Sequence, residues 1–291
     1  REWFETKIAD KSESYRSRTL RILEKDLFPK LGALAISDIT SRQLLETLRV
    51  VEARTVDIAH RAKQSAGQVF RYAVATGRAD RDIATDLTGA LKSRTVKHSA
   101  TILDSSEIGQ LLRSIDAYSG STVVRAALQL SPLLFVRPGE LRTMEWDEID
   151  WQKSRWEIPA SKMKMREPHV VPLANQSAEI LEALRPLTGR GMFVFPSARK
   201  GGRPLSDNGV RTALRSLGYT NEQITPHGFR AMARTLLDEE LGFRIDYIEH
   251  QLAHTVKDPL GRAYNRTKHL SERIEMMQSW ADYLDQLRRG R

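Results

Sequence analysis

Three short motifs lie close together between Ile224 and Arg266: Pro-His-Gly-Phe-Arg at 226–230, His-Gln-Leu-Ala-His at 250–254 and Ala-Tyr-Asn-Arg at 263–266. They contain an arginine three residues after a histidine, a further histidine, and a tyrosine ten residues after that. Their polar side chains are cationic, hydrogen-bonding or phenolic, and the chain contains no Cys. This combination is typical of a phosphate-binding site with an oxygen nucleophile, and it fits a carboxylate or metal centre poorly.

Each of these side chains has a use at a phosphodiester. Attack by an oxygen nucleophile places extra negative charge on the non-bridging oxygens, and a guanidinium matches that charge with a planar set of donors. Histidine adds further hydrogen bonds to the same oxygens. A tyrosine hydroxyl has a reference pKa of about 10, so it attacks at neutral pH only where its surroundings favour the phenolate or remove its proton.

Two upstream elements extend this set. Arg-Pro-Gly-Glu-Leu occupies 137–141, and Met-Lys-Met occupies 163–165, eight residues from its lysine to Pro172 of a Val-Val-Pro-Leu run. Arg, Lys, His-x-x-Arg, His and Tyr in this chain order resemble the tyrosine recombinases, specifically the phage and genomic-island integrases of the satellite-phage type. Six elements in register make this resemblance far more specific than any one of the motifs.

The resemblance implies a role for each matched residue. Tyr264 is the expected nucleophile, which forms a 3′-phosphotyrosyl bond and releases a 5′ hydroxyl. Lys164 is the expected general acid for the leaving oxygen, and Lys162, two residues away, is its competitor. Glu140 is expected to orient an arginine without taking part in the chemistry. The residues expected to stabilise the transition state are Arg137, His227, Arg230 and His254.

The other histidines carry no such expectation. His250 is interpreted as structural, because the family accepts many residue types there. No functional signal accompanies the remaining ones, which are His60, His98, His169 and His269.

Residues 1–91 show apolar side chains at helical spacing. Thr40-Ser41-Arg42-Gln43 has the capping-box pattern of a helix start, and a long apolar stripe follows between Thr55 and Thr76. Phe28-Pro29 is expected to end the helix that begins near Ser14. This part is therefore predicted to be a bundle of four or five helices, a make-up similar to the core-binding domain of recombinases.

Residues 92–103 are predicted to be a basic interdomain linker, since they begin without apolar periodicity. Residues 104–291 combine helical patterns with β-branched runs near Trp156 and Val170, which predict a small antiparallel sheet with Lys164 at a hairpin tip. The predicted fold is mainly α with a small antiparallel β-sheet. It comprises a helical-bundle core-binding domain and an α+β tyrosine-recombinase catalytic domain.

The catalytic domain is predicted to end in a long amphipathic helix after Tyr264. Its apolar stripe has two interpretations. It packs within its own domain, or it is exposed and docks onto a neighbouring protomer, as the final segment of tyrosine recombinases commonly does.

The charge of the chain favours polyanionic partners. Its net charge is +9, and residues 1–103 hold 19 Lys and Arg against 13 Asp and Glu, so the smaller part is the more basic per residue. An ordinary solvated surface is the alternative interpretation. The basic side chains predicted to contact DNA are Arg54, Arg61, Lys63, Arg71, Lys92, Arg94, Lys97, Arg199, Lys200 and Arg203.

The resemblance also implies the partners. The expected substrate is double-stranded DNA carrying attachment sites. Four protomers are expected on two duplexes, and the protein without DNA is expected to be a monomer. Accessory DNA-bending or directionality proteins are further expected partners. No metal, cofactor or ATP is expected, because a phosphotyrosyl bond conserves the energy needed for rejoining. A small N-terminal domain that binds arm-type DNA sites is expected to be missing from this chain.

No run of about 18 apolar residues occurs, so no membrane span is expected. The predicted location is the cytoplasm of a bacterium, on DNA, for a protein encoded by the bacterium or by a phage.

Two other functions stay open on sequence. A type IB topoisomerase uses similar chemistry to relax supercoils as a monomer, but a separate core-binding domain and a terminal amphipathic helix argue against it. A DNA-binding or scaffolding protein keeps such a fold without turnover, but the complete set of six elements disfavours that, because a chain released from catalysis could lose any of them.

Overall fold

The computed structural model describes residues 1–94, 99–199, 202–254 and 269–290. The chain divides after residue 97 into two compact units, which we call the N-terminal unit and the C-terminal unit. This division lies inside the stretch 92–103. In the part of the chain that the structure describes, no helix combines the length and the apolar character needed to cross a membrane.

The N-terminal unit is helical. Its helices are α1 (Glu2–Lys7), α2 (Glu13–Ile22), α3 (Phe28–Leu31), α4 (Ser41–Arg54) and α5 (Val56–Ala75). A π-helical turn at Leu23–Leu27 joins α2 to α3. The prediction that Phe28-Pro29 ends the helix is therefore wrong. Proline is tolerated in the first turn of a helix, where its missing N–H has no partner to lose, and Pro29 lies in the first turn of α3.

The two longest helices of this unit begin and end as their sequences predict. The Thr40 hydroxyl accepts from the Gln43 backbone at 3.2 Å, and the Gln43 side chain accepts from the Thr40 backbone at 2.8 Å, so the capping box is confirmed. Gly77, just beyond α5, has a φ of 70°, which glycine adopts without strain. The core between these helices includes Leu44, Leu48, Val51, Ala59, Ala62, Ala66 and Phe70.

The C-terminal unit combines helices with one small sheet. Strands β1 (Ile149–Asp150), β2 (Arg155–Ile158) and β3 (His169–Pro172) pair antiparallel in that order, with Trp156 opposite both Ile149 and Val171. The predicted mainly α fold with a small antiparallel β-sheet is thus confirmed. The helices are α6 (Ser105–Asp116), α7 (Thr122–Leu134), α8 (Pro138–Arg142), α9 (Asn175–Thr188), α10 (Gly209–Ser216), α11 (Gly228–Glu239), α12 (Ile245–Gln251) and α13 (Leu270–Arg288).

The apolar stripe of α13 packs mostly within its own unit, against α6 and α7. Trp280 is fully buried, meets Phe135 edge-to-face with ring centroids 6.2 Å apart, and donates from Nε1 to the Pro132 carbonyl at 2.9 Å. Ile274 is the exception, with 52% of its surface exposed. The structure thus has the intramolecular packing, and not an exposed stripe ready to dock onto a neighbour.

A close backbone contact fixes the start of α11. A Cβ on Gly228 would overlap the carbonyl oxygen of Ala100, so the segment entering the unit approaches α11 where only glycine fits. The Thr101 hydroxyl donates to the Gly228 carbonyl at 2.9 Å, and the Thr225 N–H donates to the Ala100 carbonyl at 3.2 Å. These contacts hold the first turn of α11, which carries His227 and Arg230.

Candidate active site

Arg230 lies at the centre of the candidate site, and only 5% of its surface is exposed. Its Nη1 donates to the Phe135 carbonyl at 2.9 Å, and its Nη2 donates to the Leu252 carbonyl at 2.7 Å. Phe135 follows α7 in the left-handed region at a φ of 37°, an uncommon conformation for a bulky residue. Two neutral carbonyls therefore orient this buried guanidinium without neutralising it.

Arg137 is held from both ends by Glu140. The Arg137 N–H donates to Glu140 Oε2 at 2.9 Å, and its Nη1 donates to Oε1 at 2.7 Å. Arg137 Nη2 donates to the carbonyl of Ala253 at 3.1 Å. Because Leu252 and Ala253 are adjacent and each accepts from one arginine, the segment after α12 brings Arg137 and Arg230 to the same place.

His254 completes this cluster. Its Nε2 lies 3.1 Å from Arg230 Nη2, and its Nδ1 lies 2.6 Å from Glu249 Oε2. An arginine can only donate, so Nε2 is the acceptor and this hydrogen-bond network assigns the ring proton to Nδ1. Glu249 also accepts from Arg234 Nε at 2.7 Å. The His254 side chain is 44% exposed, so its ring is accessible to a ligand.

The electrostatics of the cluster favour an anion. Burial, and then the charge of Arg137, lower the pKa of Arg230 to about 10, so it remains charged at neutral pH. Burial, and then Arg230 and Arg137, lower the pKa of His227, which lies one turn before Arg230. Burial raises the pKa of Glu249, but hydrogen bonds from His254 and Arg234 outweigh it and leave that pKa lowered. A bound anion would relieve the repulsion among these cations.

The two candidate lysines have different surroundings. Lys162 Nζ lies 2.7 Å from Glu145 Oε1 and 2.5 Å from Glu148 Oε1, and it donates to the Thr143 carbonyl at 2.8 Å. Only 20% of its side chain is exposed. Lys164 is exposed in the turn between β2 and β3, and no hydrogen bond or ion pair joins it to another described residue. The structure therefore gives Lys162 a packing role and leaves Lys164 available to a ligand.

Some of the predicted site residues are not described. Tyr264, the predicted nucleophile, and the predicted DNA contacts Lys97 and Lys200 lie outside the described residues. Within the described ranges, no group of three or more His, Asp or Glu side chains is arranged to hold a metal ion.

The predicted DNA contacts that the structure describes differ in their surroundings. Arg54 Nη2 lies 2.5 Å from Asp26, and Arg71 Nη1 lies 2.6 Å from Asp82. Both carboxylates are buried, so these two arginines also have a role in holding the unit together. Arg94 makes a longer ion pair at 3.5 Å. The other described positions of the prediction are at least partly exposed: Arg61, Lys63, Lys92, Arg199 and Arg203.

Residues with no sequence signal support the segment 250–254. His169 Nε2 donates to the Gln251 carbonyl at 3.0 Å, and burial, followed by the charge of Arg273, lowers the pKa of His169 to about 3. Arg273 on α13 is almost fully buried and donates to the Gln251 side chain and the Val170 carbonyl. Glu249 was also missed. Its one sequence signal is its position five residues before His254. A seven-residue helix followed by a tight turn can bring the histidine ring back to a carboxylate at that spacing.

Comparison with known proteins covers both units. The family model for the phage integrase central domain matches residues 1–90, and the model for the phage integrase family matches residues 101–270. The integrase of Enterobacteria phage P4 is 39% identical over 289 residues, which covers 94% of this chain and 66% of the P4 protein. The chain thus spans about two-thirds of the length of that relative.

Solved structures share the fold. A lambda integrase fragment, residues 75–356, bound as a dimer to a COC′ core site, has a TM-score of 0.69 at 18% identity and covers 91% of this chain and 97% of that one. A lambda integrase tetramer bound to a Holliday junction has a TM-score of 0.68 at 19% identity, covering 90% and 79%. The family matches confirm the resemblance that the six sequence elements predict. The chain belongs to the phage integrase family, and it is a tyrosine-type site-specific recombinase of the phage and prophage kind.

Proposed function

We propose that this chain is the core-binding and catalytic part of an integrase that cleaves and rejoins DNA through a 3′-phosphotyrosyl intermediate, and so integrates or excises a mobile genetic element. One observation carries the proposal: Arg137 and Arg230 converge on the segment 252–254, which carries His254, through hydrogen bonds of 3.1 Å or less. Such a concentration of cationic donors is suited to the charge that develops on a phosphate under attack.

The proposed chemistry has balanced steps. The Tyr264 hydroxyl loses its proton to solvent and its oxygen attacks phosphorus, while Arg137, His227, Arg230 and His254 donate hydrogen bonds to the non-bridging oxygens. The bond from phosphorus to the 5′ oxygen breaks, and that oxygen takes a proton from Lys164, leaving a 5′ hydroxyl. Attack by a 5′ hydroxyl of another strand reverses these steps and releases Tyr264. The exposure of Lys164 and the ion pairs of Lys162 support this choice of lysine.

The proposed partners are DNA attachment sites and further copies of the chain. A lambda integrase tetramer bound to a Holliday junction has the same fold, which supports four protomers on two duplexes during strand exchange. Before DNA binding, the proposed state of the chain is a monomer. The match of residues 1–90 to the phage integrase central domain supports a core-binding role for the N-terminal unit. Accessory DNA-bending or directionality proteins, and a location on DNA in the bacterial cytoplasm, complete the proposal.

Covalent trapping tests the proposal. The chain is mixed with nicked suicide duplexes taken from the junctions of its own genomic element, in buffer containing EDTA. A nick close to the cleavage site lets the released oligonucleotide diffuse away, so an adduct accumulates. We expect a protein–DNA adduct on a denaturing gel, and peptide mass spectrometry should locate it on Tyr264.

The matched variant is Tyr264→Phe, which lacks only the nucleophilic oxygen. It should form no adduct, and its DNA affinity should stay within about twofold of the original, since losing one hydroxyl changes the free energy of binding by a few tenths of a kcal/mol. Tyr118→Phe is the control and should form the adduct normally. Binding without an adduct on a verified site would contradict the proposal and favour a non-catalytic DNA-binding role.

A further inference from the structure

We propose that Glu249 is a positioning residue for strand cleavage, which orients the His254 ring and stabilises the doubly protonated form that donates to a phosphate. This inference rests on the proposed function. Glu249 lies outside the six matched sequence elements, and it acts through His254.

The geometry around Glu249 is specific. One carboxylate oxygen lies 2.6 Å from His254 Nδ1, and the other accepts from Arg234 Nε at 2.7 Å. The backbone N–H of His254 also donates to the Glu249 carbonyl at 3.0 Å, across a turn in which Ala253 has a φ of 49°. Arg234 lies one turn after Arg230 on α11. Glu249 therefore ties the His254 ring to the helix that carries the central arginine.

The proton count at His254 shows what this carboxylate can do. In the free protein, Nδ1–H donates to Glu249 and Nε2 accepts from Arg230. To donate a hydrogen bond from Nε2 to a phosphate oxygen, the ring must gain a second proton or lose its bond to Glu249. Two charge-assisted bonds, one to Glu249 and one to the phosphate, stabilise the doubly protonated ring. When a phosphate oxygen replaces Nε2 as the acceptor of the Arg230 Nη2–H, Nε2 can take a proton from solvent and donate a hydrogen bond to the phosphate.

The surrounding charges make Glu249 necessary for that step. Arg230, whose Nη2 lies 3.1 Å from Nε2, and His227 at the start of α11 both oppose a positive charge on the ring. Among the described residues, Glu249 is the acid in contact with the ring. Without it, no described acid would contact the ring, and a ring with a proton on Nδ1 alone would have to switch tautomer to donate to the phosphate.

Glu249→Gln tests the inference directly. Glutamine has one acceptor oxygen for the two donors, His254 Nδ1–H and Arg234 Nε–H, so one of these bonds is lost. We expect adduct formation with the suicide duplex to slow by about 10- to 100-fold, the range that follows from losing a hydrogen bond to a charged group. Glu239→Gln, an exposed acid on the last turn of α11, removes the same charge and should leave the rate unchanged.

A double-mutant cycle separates positioning from a general structural effect. If Glu249 acts through His254, adding Glu249→Gln to the His254→Ala variant should slow adduct formation by no more than about twofold. The ring that Glu249 supports is already absent from that variant. An equal loss in both backgrounds would overturn the inference. Adduct formation at the wild-type rate in Glu249→Gln would overturn it as well. The recombinase proposal would then still stand, because the wild type forms its adduct. Absence of a wild-type adduct on a verified site would overturn both.

A spectroscopic measurement does not depend on activity. Long-range ¹H–¹⁵N spectra of the histidine-labelled free protein distinguish the two tautomers, and the spectrum of His254→Ala identifies the signal of this ring. We expect the Nδ1-protonated form in the wild type and, in Glu249→Gln, a changed Nδ1 chemical shift, because the charge-assisted bond from Nδ1–H to the carboxylate is lost. A wild-type ring protonated on Nε2 alone would overturn the inference.

Discussion

Alanine at each of the two hairpin lysines should separate folding stability from catalysis. Lys162 neutralises Glu145 at 2.7 Å and Glu148 at 2.5 Å, and the Glu148 side chain is only 8% exposed. Removing one partner of a buried ion pair costs roughly 3–5 kcal/mol, and the partial exposure of Glu145 and Lys162 lowers that figure. We expect Lys162→Ala to lose about 2–3 kcal/mol of the free energy of unfolding.

Lys164→Ala should behave in the opposite way. Its side chain is exposed and no described residue pairs with it, so the free energy of unfolding should change by less than about 0.5 kcal/mol. If Lys164 protonates the leaving oxygen, its loss should slow cleavage by about 10²- to 10⁴-fold, the usual contribution of a general acid.

Two assays measure these effects. Urea unfolding reports stability, and adduct formation reports cleavage on an ordinary duplex and on one whose 5′ leaving oxygen is replaced by sulfur. A thiolate leaves without a proton, so the sulfur duplex should restore Lys164→Ala to near the wild-type rate. Lys153→Ala, in the turn between β1 and β2, is the control for losing a surface lysine. Rescue of Lys162→Ala in place of Lys164→Ala would refute the assignment.

Two further predictions concern the support of the site. Trp280→Ala should lose about 3–5 kcal/mol in urea unfolding, because its fully buried ring leaves a cavity beside Phe135; a loss under about 1 kcal/mol would mean that α13 is not packed in its own unit. The pKa of His169, lowered to about 3 from 6.5 mainly by burial, predicts that the unfolded chain binds a proton that the folded chain does not. The free energy of unfolding should therefore fall as pH drops from about 6.5 to about 3, by up to about 1.4 kcal/mol per pH unit. In His169→Gln, the slope of the free energy of unfolding against pH should be smaller by the contribution of one proton. An unchanged slope would contradict the assignment.

Local features of the fold could be predicted because they depend on near neighbours in the chain. The capping box at Thr40 joins residues three apart, and the sheet follows from short β-branched runs. The prediction at Phe28-Pro29 was wrong because it also used only near neighbours in the chain. The rule that proline breaks a helix takes no account of the preceding π-turn, whose buried Leu23 and Leu27 keep the chain helical.

In the candidate site, too, features that depend on near neighbours could be predicted and features that depend on distant residues could not. His227 and Arg230 lie one turn apart, so the start of a helix was enough to place them together. Lys162 and Lys164 could not be told apart by residue type, since the carboxylates that hold Lys162 lie well upstream. Nor could Glu249 be recognised, because the turn through Ala253 that returns His254 to it forms in its folded surroundings.

Residue types and their order from Arg137 to Tyr264 were enough to predict the family and the chemical groups of the site. Three further outcomes required the folded structure: which lysine is paired, which acid holds His254, and the packing of the α13 stripe within its own unit. Those outcomes depend on contacts between segments far apart in the chain, and the packing of the core is what brings such segments together.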